Sequence, residues 1–143
     1  MTVTPTIIEG EVIYEGATYD AQWERSFFPY PVTWAGEAWR KADGTVAPEG
    51  DRTLEDYTGC TARMQIRESV DAGTVISELT TENNGILLSG PTLRLRINDT
   101  TTSSIGSVVN WTSAIGQVEV VRTDGTVERQ YEIHFTRSKE STK

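Results

Sequence analysis

From Thr61 to Arg67 every second residue is apolar: Ala62, Met64 and Ile66 alternate with Thr61, Arg63, Gln65 and Arg67. Successive side chains of a β-strand point to opposite faces, so such a run has one dry face and one wet face. A helix would place its apolar residues three and four apart instead. The same alternation runs through Leu93–Asn98 and Tyr131–Thr136, and in weaker form through Val12–Tyr14, Val75–Leu79 and Gln117–Val121. Strands with one buried face must stack that face on another sheet or close into a barrel. The chain is therefore read as all-β, an antiparallel β-sandwich or barrel.

Turn residues punctuate these runs. Asp124-Gly125 separates Val118–Arg122 from Val127–Phe135 and supplies the positive φ that a tight hairpin needs. Asp43-Gly44 is expected to link a strand near Glu37–Arg40 to Thr45-Val46, and Asn83-Asn84-Gly85 to join Val75–Thr80 to Ile86–Leu88. Gly90-Pro91 breaks the chain before Leu93. A helix fits only at Thr100–Ser107, where serine and threonine compete with the backbone for hydrogen bonds.

At 143 residues the chain is long enough for a single hydrophobic core, and we read it as one domain with flexible ends at 1–6 and 138–143. One cysteine and one histidine exclude an internal disulfide framework and a four-ligand zinc site. No apolar run reads as a signal peptide or a spanning helix, which points to a soluble protein made in the cytosol and without a membrane partner. A net charge of -8 argues against nucleic acid, whose binders cluster Lys and Arg. That charge is uneven: residues 1–57 hold 11 acids and 4 bases, whereas residues 58–143 hold 10 and 9.

The least regular stretch, about residues 20–56, reads as an insertion on the sandwich. It carries Trp23, Trp34, Trp39, Phe27, Phe28 and Tyr30 among several prolines. Trp23 alternates with Tyr19 and Ala21 and is assigned to the core. The other aromatics are too many for one small sandwich to bury, and Phe27, Phe28, Tyr30, Trp34 and Trp39 are expected to form a protein contact rather than an intramolecular plug. Trp34 and Trp39 would also suit stacking on a sugar ring, a second possible role. Arg63, Arg67, Arg94 and Arg96 lie on the wet faces of two strands. If those strands are neighbours, the four guanidinium groups make a basic stripe that faces the acidic first half of another copy, as in a ring of identical subunits.

The sequence Leu54-Glu55-Asp56-Tyr57-Thr58-Gly59-Cys60, continuing through Arg67, resembles a run found in small structural proteins from the tail regions of tailed bacteriophages and prophages. Glu15–Tyr19, Thr74–Leu79, Asn84–Ile86, Leu93–Ile97, Asp124–Val127 and Thr136-Arg137 extend the likeness over nearly the whole chain apart from residues 20–50. It is also similar to the N-terminal domain of baseplate upper proteins, which implies an immunoglobulin-like sandwich. The resemblance implies a non-enzymatic virion protein, made in the host cytoplasm. It would be a homo-oligomer of the neck, collar, tail or baseplate, bridging neighbours such as portal, connector, tail or fibre proteins.

Catalysis has little to draw on. His134 alternates onto a polar face with Glu132 and Thr136, and Cys60 falls in the apolar set of Ala62, Met64 and Ile66, where it reads as a small hydrophobe. No phosphate-binding glycine loop and no calcium-loop pattern is present, so no catalytic residue, metal ligand or cofactor is assigned. Asn98-Asp99-Thr100 and Asn83-Asn84 are noted as weak cation chelators.

Overall fold

The structure, a computed structural model, describes residues 5–139. In chain order its strands are β1 (Thr6–Tyr14), β2 (Tyr19–Glu24), β3 (Ser26–Phe27), β4 (Val32–Ala35), β5 (Ala38–Lys41) and β6 (Thr53–Leu54). They continue with β7 (Thr61–Arg67), β8 (Ser77–Thr80), β9 (Ile86–Ser89), β10 (Thr92–Ile97), β11 (Ser113–Val121) and β12 (Val127–Ser138). A single 3₁₀ turn spans Glu49–Asp51, and one short helix, α1, spans Asp99–Ser103.

Two sheets form a sandwich. The larger has the order β1-β12-β11-β7-β8 and the smaller β2-β10-β9. All neighbours are antiparallel except β1, which lies parallel to β12. Alternation decides what each strand buries: Ala62, Met64 and Ile66 of β7 face Leu93, Leu95 and Ile97 of β10 across the core, with Val118, Val120, Ile133 and Phe135 closing it. Each of these side chains larger than alanine contributes about 1.5–3 kcal/mol through the apolar area removed from water. Trp111, wholly buried, donates from its indole N–H to the Ile105 carbonyl, and Trp23 packs half-buried against the same core.

The turns do what their residues dictate. Arg122–Thr126 closes the β11–β12 hairpin around Gly125, and Gly90-Pro91 makes the two-residue turn of β9–β10. The Asp43-Gly44 turn brings Val46 back to Arg40. Asn83–Gly85 joins β8 to β9 by carrying the chain from one sheet to the other, pinned by the Asn83 side chain, which accepts from the Thr80 and Gly85 amides. Asn98 caps α1 by accepting from the Thr101 amide, so the Asn83 and Asn98 side-chain oxygens of the two motifs noted as chelators are spent on the backbone.

Three expectations change. β2 is a strand of the smaller sheet, so the elaboration begins at residue 25 and not at 20. Thr6 and Ser138 belong to strands, while the rest of the two ends read as flexible, except Pro5 and Lys139, lies outside the described residues. Finally, β7 and β10 lie in opposite sheets, so their wet faces point away from each other and the basic stripe does not form.

Candidate functional site

Residues 25–56 cross one end of the sandwich as two small ribbons. β3 pairs with β6, and β4 pairs with β5 through a two-residue turn at Gly36-Glu37, both with positive φ. Cross-strand pairing sets Trp34 opposite Trp39, with ring centroids 5.3 Å apart and planes at 67°. Trp39 is half-buried, whereas Trp34 is 58% exposed. β4 and β5 pack chiefly on each other and make no extended contact with either sheet of the sandwich. Arg40 stiffens this hairpin by donating to the Ala35 and Gly44 carbonyls.

The remaining aromatics of the segment are held internally. Phe28 stacks on Tyr30 at 5.8 Å and lies under the Arg52 guanidinium at 4.4 Å, which leaves it only 6% exposed. Phe28 is therefore a plug and not a free anchor, because its ring is already covered by Tyr30 and Arg52. Tyr30 donates to Asp51 and carries Lys41 over its ring. Partial burial and that acceptor push its phenol up to about 12. Phe27, half-buried, lies beside Arg25. Of the five aromatic candidates the structure thus leaves Trp34 open, with Trp39 as its support.

A buried ion cluster roots the segment in the sandwich. Glu55, 4% exposed, accepts from Arg25 (2.7 Å) and from both ends of the Arg122 guanidinium (2.6 and 2.7 Å). Arg122 also reaches Glu128 at 2.8 Å, and Gln130 donates to Glu128 and Glu55 while accepting from the Tyr57 hydroxyl. Gln130 is inside because β12 bulges opposite Val118-Glu119, turning Gln130 and Tyr131 inward in succession. Burial is the largest influence on the Glu55 pKa and raises it, but the hydrogen bonds and charge of Arg122, the Asp56 amide and the Arg25 charge together outweigh it and hold the carboxyl below its ordinary value. Burial likewise pushes the Tyr57 and Tyr131 phenols up. Among the described residues no buried side-chain polar atom lacks a hydrogen-bond partner, so this cluster acts as a strut. Nothing in the sequence pattern marked it, since its members come from three stretches far apart in the chain: Arg25, Glu55–Tyr57 and Arg122–Gln130.

Three of the four predicted arginines are also held within the chain. Arg63 meets Glu119 across β7 and β11, Arg67 donates to the Ala72 carbonyl and to Gln65, and Arg94 grips Asp20 across β10 and β2. Arg96 is exposed on the outer face of the smaller sheet. Arg63 and Arg67, with Gln65, Glu78, Gln117 and Glu119, line a concavity of about 270 Å³ on the outer face of the larger sheet. Neither His134 nor Cys60 opens into it. His134 sits between Glu9 (3.0 Å) and Glu132 (2.9 Å), and Cys60, just before β7, is half-buried beside Arg122. Among the described residues no group of three or more His, Cys, Asp or Glu side chains is arranged to hold a metal, and no helix is long and apolar enough to cross a membrane. Compared with the known protein families and with curated proteins, the chain matches none.

Proposed function

We propose that the chain is a non-enzymatic structural protein of a tailed-phage particle, an immunoglobulin-like sandwich that oligomerises and bridges other virion proteins in the neck, collar, tail or baseplate. The observation that carries this reading is Trp34, a large indole held open on a stiffened hairpin that makes no extended contact with the sandwich strands. Tryptophan is enriched among the residues that carry binding energy, and a rigid hairpin presents it at little entropic cost. The resemblance of Tyr57–Arg67 to phage tail-region proteins supplies the particle. The sugar-binding role is weaker, because rings meeting at 67° do not form a flat two-ring platform.

The test is to purify particles from a host that produces them and label them with an antibody raised against this chain. Gold particles grouped at the neck, tail or baseplate are expected, along with loss of assembly or of a neighbouring protein in a Trp34→Ala particle. Particles free of the chain would remove the proposal. Reproducible glycan-array hits lost on Trp34→Ala would replace it with the carbohydrate reading.

A further inference from the structure

A five-stranded sheet faces a three-stranded one, and part of the mismatch falls on the side where β1 and β2 lie. Tyr19 of β2 meets Phe135 of β12 edge to face at 5.7 Å and donates its hydroxyl to Glu11 of β1, while Trp23 lies 5.8 Å from Tyr131 of β12. β2 therefore lies over β12, and β1 projects beyond the last strand of the smaller sheet. Ile8 on the inner face of β1, and Ala21 and Trp23 on that of β2, touch the core at this opening yet stay half-buried.

The sandwich edges are not equally defended. A free strand edge presents alternate N–H and C=O groups ready to pair, and proteins blunt it with short strands, bulges and inward charges. β8 and β9 have four residues each. β1 bulges at Glu9-Gly10, where Gly10 takes a φ of 83°, and it turns Glu11 inward. β2 has none of these devices: its six residues run in unbroken register with β10, and among the described residues no strand pairs with its far side.

Charge selects the occupant. Between Pro5 and Glu24 the chain carries five acidic residues and neither lysine nor arginine; on β2 Asp20 is paired with Arg94 of β10, whereas Glu24 forms no ion pair among the described residues. Asp20, Gln22 and Glu24 stand exposed on the outer face of β2. Two copies pairing β2 antiparallel about Gln22 would set Asp20 against Glu24 twice, a like-charge contact that opposes self-pairing. We propose that β2 instead receives an extended segment of another protein, a strand that alternates lysine or arginine with aliphatic residues. Its basic face would meet Glu24 and add to the Asp20–Arg94 pair from the open side, and its aliphatic face would cover Ile8, Ala21 and Trp23. The inference rests on edge geometry and charge, and it holds wherever the chain acts.

The experiment titrates the isotope-labelled full chain at low salt with a short capped peptide alternating lysine and valine, read by amide chemical shifts. Shifts concentrated at Tyr19–Glu24 are expected, with affinity about tenfold weaker for Glu24→Lys, whose side chain lies in solvent. Methylating alternate peptide amides, in one of the two registers, is expected to abolish binding, because it removes backbone donors without touching charge. The matching glutamate–valine peptide is expected not to bind. Absence of shifts, shifts centred on Trp34 and Trp39, or undiminished binding by both methylated peptides would each overturn the proposal. Concentration-dependent shifts at β2 without peptide would give the edge to a second copy instead. A circular dichroism spectrum of Glu24→Lys separates lost binding from a lost fold.

Discussion

At the scale of single residues, side chains that alternate cleanly were legible and those that break the pattern were not. Met64 and Leu95 bury themselves as their period demands. Gln130 does not, because an inserted residue in β12 reverses its face, and a bulge leaves no mark in a period-two pattern. Arg137 is a similar case. Its guanidinium is held by Glu15, Asn110 and the Trp111 carbonyl, and it passes so close to Gly106 that a Cβ there would lie 2.2 Å from it. Glu55 looked like one acid among 21 and is the hub of the buried cluster. Removing one member of a buried ion cluster leaves its partners charged and desolvated, so Glu55→Ala is expected to cost roughly 3–5 kcal/mol. Chemical denaturation followed by tryptophan fluorescence measures this, and a loss under about 1 kcal/mol would show that water replaces the carboxylate freely.

At the scale of elements, alternation names the face of a strand but not its sheet. For that reason Arg63 and Arg67 could be assigned correctly to a wet face and still be placed wrongly beside Arg94 and Arg96. The sheet switch at Asn83–Gly85 uses the same residues that a hairpin would, and only the finished topology tells the two apart. The aromatic segment divides in the same way: Phe28 finds a cover in Arg52, while Trp34 does not. This yields a contrast within one residue type. Trp34→Ala is expected to leave stability within about 0.5 kcal/mol, because an exposed side chain has little burial to lose. Trp111→Ala, which empties a wholly buried site and orphans the Ile105 carbonyl, is expected to cost about 3–5 kcal/mol. Parallel thermal melts of the two variants decide this, and a large loss in Trp34→Ala would mean that the hairpin is part of the core and not a projection from it.

At the scale of the whole molecule, the uneven charge is partly consumed inside one chain. Glu9 faces His134, Glu15 faces Arg137, Asp20 faces Arg94 and Glu55 faces Arg122, each pairing an acid of the first half with a base of the second. The acidity that suggested a neighbouring copy is thus also a clasp between the two halves, and it makes stability depend on pH in a fixed direction. The hydrogen bond from Arg94 holds Asp20 below its ordinary value, and those from His134 and Gln117 do the same for Glu132. For Glu55 and Glu128 burial acts upward and is the largest single influence, but the hydrogen bonds and charges of Arg122 and Arg25, with the Asp56 amide for Glu55 and Gln130 for Glu128, together outweigh it and the net shift is again downward. A carboxyl held lower in the folded than in the unfolded chain binds fewer protons there, so its stabilisation is complete above the unfolded pKa near 4 and is lost as pH falls through the folded one. Denaturant midpoints are therefore expected to be flat from about pH 7 to about pH 5 and to drop steeply below it. Glu55→Gln supplies the control, because it lacks one of these titrating groups. Its deficit against the parent is expected to be widest near neutrality and to narrow toward about pH 3. A deficit that stays constant across that range would show that Glu55 contributes packing and not charge.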